Sequence, residues 1–375
     1  MIKNEKDTSI LNAQLGQPFL QAEVLGTFLS NPNYPPMNVH TVPYSIVSIP
    51  EKRRNGNNVA NYSLCETCDA MVEFVRAWEK KIHPFNVLPE VKYHIATSTG
   101  GSSLCAAAFI YSVTKMLSKP KVRVTSYTPP PFYGFYKSLC NEYLRGVEWV
   151  DWSIDRNGQY IRPSGIDIQV VISPNNPTGN IVTRPMFTSP FVVVDTVYDH
   201  YLFTGKMESV NPWLWRMLNF PKHSDPGMGM VTSFSKFGPG GFRAGYLFTN
   251  TFPLLRNSLT YISNFYYGSP TYDYALLENN FMNLDPHYFT SIYSILQRRQ
   301  MEIRKYIPSS FILNVNSVAP YLLVKISPLT LLSWGIRVQN GQVFLISDDY
   351  SRINLMLTEK EWTRLVQILK SKNIK

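Results

Sequence analysis

The chain has 375 residues, 44% of them apolar and 14% aromatic, enough to bury a sizeable interior, which excludes disorder as its main state. Its 36 Lys and Arg against 26 Asp and Glu leave a formal charge of +10, but the cations are scattered and form no nucleic-acid-binding block. A spanning helix of about 20 apolar residues is also excluded, since even 319–336 is broken by Lys325, Ser327 and Pro328.

In chain order, the opening MIKNEKDTSI lacks the apolar core of a signal peptide, and four cysteines cannot make a dense disulfide framework, so a cytoplasmic setting is expected. Residues 1–61, Pro- and Asn-rich with NPNYPP and RRNGNN, read as an irregular arm or part of a smaller domain. A helical pattern runs from Ser63 to Ile82. Seven β-rich runs then alternate with helical stretches: Lys92–Thr97, Lys121–Ser126, Gly146–Val150, Ile168–Ile172, Phe191–Asp195, Met230–Phe234 and Ala244–Thr249. This alternation predicts an α/β domain over 62–270 with a mostly parallel sheet. Over 271–375 a long helical segment around Gln297–Gln300, strand-like runs at Pro320–Ile326 and Val343–Ile346, and a closing helix from Glu359 predict a smaller α+β domain.

Ligands of open α/β sheets sit beyond the carboxyl ends of the strands, so polar residues there carry most information. HIATSTGGSSLCAAAF (94–109) reads as a strand, a Gly-Ser loop and a helix starting near Ser102, whose free N–H groups and dipole form an anion site. Such a loop is equally a common helix start. VVISPNNPTGN (170–180) leaves a strand into a tight turn that exposes Asn175 and Asn176. FVVVDTVYDHY then sets Asp195 at the end of an apolar strand, where an acid needs a cationic or hydrogen-bonding partner, with Tyr198 three residues on. Singly, NNPTG is also an ordinary turn and Asp195 a helix cap.

In VTSFSKFGPGGFRAGY (231–246), Lys236 follows two serines and precedes three glycines and Arg243. A lysine in a partly desolvated cleft has its neutral amine favoured and forms a Schiff base with an aldehyde; Arg243, Ser233 and Ser235 suit a phosphate. Aldehyde and phosphate in one ligand point to pyridoxal phosphate. Its pyridinium nitrogen would answer Asp195, and its phenolate oxygen would take hydrogen bonds from Asn176 and Tyr198. The alternative is a Gly-rich loop with solvent-facing cations. A dinucleotide fingerprint fits less well, because Arg243 stands where the third glycine belongs. Near the carboxyl end, DDYSRINLML places Arg352 in an apolar run, where an inward guanidinium fork would grip a substrate α-carboxylate; a surface strand arginine is the other reading.

The order NNPTG, D-x-x-Y, SFSK, Gly-rich stretch and Arg resembles the fold type I pyridoxal-phosphate enzymes, the aspartate aminotransferase superfamily, over most of the chain. The resemblance implies a large domain with a mostly parallel seven-stranded sheet and a homodimer with sites at its interface. It casts Lys236 as the internal-aldimine lysine, Asp195 as pyridinium partner, Tyr198 and Asn176 as phenolate contacts, and Arg243 as phosphate arginine. Gly101, Ser102 and Ser103 are similar to the phosphate cup. In TSYTPPPFYGFYKSLC (125–140), Tyr133, or failing it Phe132, matches the aromatic residue that stacks on the cofactor ring, though such a turn also suits packing. Arg352 resembles the carboxylate-binding arginine, and GIRVQNGQVF before it the small-domain turn. Arg243 follows Lys236 by seven residues, one fewer than in aspartate aminotransferase itself, a spacing found in other branches.

GGSSL, PPPFYGFY, SPNNPTG and SRINLML further resemble the alliinase and tryptophan-aminotransferase-related group, and Gly16-Gln17-Pro18 is similar to its substrate-contacting Gly-Asp-Pro, with Gln for Asp. The Cys-rich module of alliinases has no counterpart, which favours transamination of an α-amino acid, aromatic or sulfur-containing, over β-elimination at a C–S bond. A non-catalytic binding protein on the same fold is the third reading. Keto and amino acids are the expected partners, with no metal. Cys65-x-x-Cys68 lacks a second pair at zinc spacing. His200 reads as structural, and for Ser269 in YYGSPTYDY the superfamily resemblance implies a residue that reaches the cofactor phosphate of the neighbouring subunit.

Overall fold

The computed structural model describes residues 11–13, 69–82, 94–98, 100–182, 188–199, 227–236, 244–265, 287–313, 319–372 and 374. The first half runs through β1 (Leu11–Ala13), α1 (Asp69–Ile82), β2 (His94–Ser98), α2 (Gly101–Leu117), β3 (Val122–Ser126), the single turn α3 (Phe135–Ser138) and β4 (Val147–Trp149). A hairpin of β5 (Ser153–Ile154) and β6 (Tyr160–Ile161) precedes β7 (Ile168–Ile172), β8 (Phe191–Asp195), β9 (Gly227–Ser233) and β10 (Gly245–Thr249). Then come α4 (Phe252–Phe265), α5 (His287–Ile303), β11 (Tyr321–Val324), α6 (Pro328–Ser333), β12 (Ile336–Asn340), β13 (Ser351–Asn354) and α7 (Glu359–Lys372).

All seven β-rich runs between residues 92 and 249 become strands of one sheet, in the order β2-β10-β9-β8-β7-β3-β4. Its neighbours are parallel except for β10, which runs antiparallel to both β2 and β9. The sheet is apolar on both faces because it is covered on both. Along β8, Val192 and Val194 enter the core that holds Phe74, Trp78 and Phe234, whereas Val193 enters the core built on α2, whose Cys105–Ile110 are all buried. The side-chain period of two thus feeds two cores from one strand.

A second, four-stranded sheet has the order β1-β12-β13-β11. Two expectations are corrected here. The segment before residue 61 is not wholly irregular, since Leu11–Ala13 pairs in parallel with Ile336–Val338 and both Leu11 and Ala13 are buried. The strand-like run Val343–Ile346 is not a strand: Gly341–Phe344 is a 3-10 turn, started by Asn340 Oδ1 accepting from Gln342 N and closed by Leu345 at φ 61°. Strand β12 lies instead in IRVQN, which had read as the start of a turn.

Candidate active site

Parallel strands deliver their carboxyl ends to one edge of the sheet, and the ends of β7, β8 and β9 meet there through the pairings Ile172–Asp195 and Asp195–Val231. Strand β10 starts at the same edge, with Gly245 opposite Ser98 and Ser233. A cleft of about 300 Å³ opens at this edge, lined by Ser102, Ser103, Tyr133, Asn176, Asp195, Tyr198, Ser233, Ser235, Lys236 and Arg352. Ile172, Val197, Gln339, Val343 and Phe344 complete the lining.

Lys236 closes a 3-10 turn, Phe234–Lys236, directly after β9. Phe234 is fully buried, its ring centroid 5.6 Å from that of Phe74, 5.7 Å from Trp78 and 5.3 Å from Tyr246. Anchoring of Phe234 in that aromatic core leaves Lys236 to the cleft, with Nζ 5.5 Å from the Tyr198 ring centroid. Ser235 N donates to Ser233 Oγ at 3.1 Å, and the Ser233 hydroxyl reaches Ala244 O at 3.2 Å, which joins the turn to the strand beyond.

Asp195 ends β8 and is partly open to the cleft. Its Oδ1 accepts from Val197 N at 3.1 Å and its Oδ2 from the Tyr136 hydroxyl at 2.9 Å. Withdrawal from water raises the carboxyl to about 6; the Val197 N–H, the Tyr136 hydroxyl and the Lys236 charge oppose that rise, and Asp199 adds to it. Burial likewise lifts the Tyr136 phenol well above its ordinary value, so it stays a donor.

Arg352, on β13 and only 6% exposed, donates from Nη1 to Asn176 Oδ1 at 2.7 Å. The surface-arginine reading is thereby removed. Asn176 lines the cleft, and its Oδ1 accepts from Arg352, which leaves the amide N–H2 as the group that could donate to a phenolate.

Helix α2 begins at Gly101, with φ 67°, a left-handed conformation that glycine adopts without strain. Ser102 and Ser103 of the first turn line the cleft, and Gly101 is not among the lining residues. A Cβ on Gly245 would stand 2.5 Å from Gly101 C and 2.7 Å from Ser102 N, so β10 approaches the helix start as closely as only glycine permits.

Of the two aromatic candidates, Tyr133 lines the cleft and is 38% exposed, while Phe132 is buried, its ring 5.6 Å from Trp149. Phe132 is therefore withdrawn as a ring-stacking residue. Gly16, Arg243, Ser269, His200, Cys65 and Cys68 lie outside the described residues. Tyr136, Gln339, Val343 and Phe344 were not anticipated. Among the described residues no group of three or more His, Cys, Asp and Glu is placed to hold a metal, and no helix is long and apolar enough to cross a membrane.

A carboxylate and an amine around one cleft suit the ring nitrogen and aldehyde of pyridoxal phosphate, and four serine hydroxyls with the start of α2 suit its phosphate. On that donor set and this sheet, the molecule is a fold type I pyridoxal-phosphate enzyme. The chain belongs to the family Aminotransferase class I and II, whose family model matches residues 67–369. Among curated proteins, histidinol-phosphate aminotransferase of Thermococcus gammatolerans is 33% identical over 134 residues, 32% of this chain and 34% of that protein, so the match spans about a third of the relative's length. A Methanococcus jannaschii protein with an active site similar to kynurenine aminotransferases superposes with a TM-score of 0.68 at 16% identity, covering 97% of this chain and 91% of the other. Tyrosine aminotransferase from Leishmania infantum gives 0.66 at 12% identity, covering 96% and 94%. These likenesses establish the fold.

Proposed function

We propose that the chain transaminates an α-amino acid with an aromatic or sulfur-containing side chain, as a homodimer, in the branch related to alliinases and tryptophan aminotransferases. The observation that carries this is the convergence of Lys236, Asp195 and Arg352, from distant parts of the sequence, on one cleft. When bound, pyridoxal phosphate supplies an electron sink for the pair left by loss of the substrate's α-proton. In this reading Lys236 holds the cofactor covalently and its Nζ then moves the α-proton. Asp195, ionised, accepts the ring N–H. Tyr198 and Asn176 would donate to the ring oxygen, Tyr133 would supply an aromatic face, and Ser102, Ser103, Ser233 and Ser235, with Gly101 and Arg243, would hold the phosphate. Arg352 orients the substrate by its α-carboxylate. Ile172, Val197 and Val343 give the cleft an apolar wall, which supports an apolar substrate side chain. Residues 62–270 form the cofactor-binding domain in this reading, and 271–375 with the arm form the smaller one.

The test is single-turnover spectroscopy of the holoenzyme with a panel of amino acids and no keto acid. Tyrosine, tryptophan, phenylalanine, methionine and S-alkyl cysteines should each convert at most one equivalent and leave the pyridoxamine form. Sustained release of ammonia and pyruvate from an S-alkyl cysteine would establish a lyase instead. Histidinol phosphate belongs in the panel, and its preferred turnover would replace the amino-acid substrate class.

A further inference from the structure

Arg352 is the one cation of the second sheet that lines the cleft among the described residues, and its surroundings are built to hold it still. Its guanidinium carbon lies 5.2 Å from the ring centroid of Tyr321 and 5.1 Å from that of Phe344. Both are within the about 6 Å over which an aromatic face attracts a cation. Tyr321 stands on β11 opposite Asn354, and Leu323 opposite Arg352, so Tyr321 and Arg352 are diagonal cross-strand neighbours on one face. Phe344 comes from the 3-10 turn after β12. Neither ring is free to drift. Tyr321 is 1% exposed, donates its hydroxyl to Asn175 O at 2.8 Å and meets the Tyr198 ring edge-on at 5.2 Å; Phe344 is fully buried.

We propose that Tyr321 and Phe344 are positioning residues that clamp Arg352 by its two faces, so that its planar fork presents hydrogen-bond donors to a substrate carboxylate in a fixed plane before the substrate arrives. A guanidinium carries all five N–H groups in its plane and none on its faces, so rings over the faces cost it no donor. Asn176 Oδ1 takes one donor in that plane at 2.7 Å. The Tyr321 hydroxyl and the Arg352 fork thus grip two successive residues of one loop, Asn175 by its carbonyl and Asn176 by its side chain, which fixes the clamp to the large sheet. Without the rings, a side chain with four rotatable bonds would have to be ordered by the substrate itself, and affinity would fall. The inference rests on the reading of Arg352 as the carboxylate contact.

Tyr321→Leu and Phe344→Leu each remove one face of the clamp, and Tyr321→Phe keeps the ring while losing only the hydroxyl. The probes are the amino acid leading the panel and the amine that lacks only its carboxylate: tyrosine with tyramine, or methionine with 3-methylthiopropylamine. Either leucine variant should raise KM for the amino acid about tenfold or more, with kcat within about threefold and the amine's half-reaction moved by less than about threefold. Tyr321→Phe should restore the amino-acid KM to within about threefold of the parent enzyme. Equal losses with amine and amino acid, or an unchanged amino-acid KM in whichever leucine variant folds, overturn the clamp. Arg352→Gln, run in parallel, separates the two levels of argument. If it raises KM and the leucine variants do not, only the clamp is wrong; if it too spares KM, the carboxylate reading fails.

Discussion

The hydroxyl of Tyr136 donates to Asp195 Oδ2 at 2.9 Å, and this phenol, held in the turn just after the Pro-aromatic loop, joins the start of α3 to the end of β8. A hydrogen bond to the ionised form favours that form, so Tyr136 opposes the burial that lifts Asp195 to about 6. Tyr136→Phe should therefore move Asp195 up by about one further pH unit. The measurement is pyridoxal phosphate binding to the apoprotein as a function of pH, followed by quenching of intrinsic fluorescence. Affinity should rise as Asp195 ionises, with the midpoint higher in the variant than in the parent; coincident midpoints would show that the phenol does not act through Asp195.

Asp195 also links stability to pH in the apoprotein. Its folded value, about 6, lies above the ordinary 3.8, so the folded chain holds that proton more tightly than the unfolded one. Its stabilising contribution is complete below the ordinary value and is lost as the pH rises through about 6. With allowance for the residue's opening on the cleft, the loss is on the order of 2 kcal/mol. Asp195→Asn cannot titrate, so urea denaturation at pH 4 and pH 7 should show a smaller decline in the variant by about that amount. The same variant, loaded with cofactor, should lose turnover by about a hundredfold or more.

Reduction of the holoenzyme with borohydride should fix the cofactor to the peptide containing Lys236, and Lys236→Ala should take up no label. Mapping of the label to a different lysine would displace Lys236 from the role proposed for it.

Gly245→Ala tests the close approach between β10 and the start of α2. The added Cβ would meet Gly101 C at 2.5 Å, a backbone atom that cannot rotate away. The expected result is destabilisation by roughly 1–3 kcal/mol, with weaker binding of pyridoxal phosphate because Ser102 and Ser103 move with the helix start. Full affinity in a destabilised variant would separate the packing from the phosphate site.

Sedimentation equilibrium of the holoenzyme should give twice the 43.0 kDa of one chain. A fully active monomer would remove the shared-site arrangement.

The strands of the large sheet were legible because burial on both faces demands unbroken apolar runs, and Phe191–Asp195 reads the same in sequence and structure. Lys236, Asp195 and Arg352 were legible for the opposite reason, each being a charge at the end of, or within, an apolar run. What could not be read were residues whose importance comes from where other elements put them. Tyr136 and Tyr321 look like any core tyrosine until the partners at Asp195 and Arg352 are in place. Val343 and Phe344 read as strand because apolar character is visible in sequence, whereas the cap at Asn340 and the left-handed Leu345 that shape the turn are set by backbone conformation. Strand β1, three residues long, has too little pattern to be seen without the β12 edge that it covers.

The pairing of Leu11 with Ile336 has a consequence for the order in which the molecule is made. A strand from near the start of the chain waits for a partner translated near its end, and its loop is closed only then. The large sheet, whose strands span 94–249, is available to fold while the ribosome is still at work on α5. Arg352 emerges later still. Nascent chains can hence complete the Lys236 and Asp195 side of the cleft well before the Arg352 side exists, and the cleft is closed by the last strand to be made.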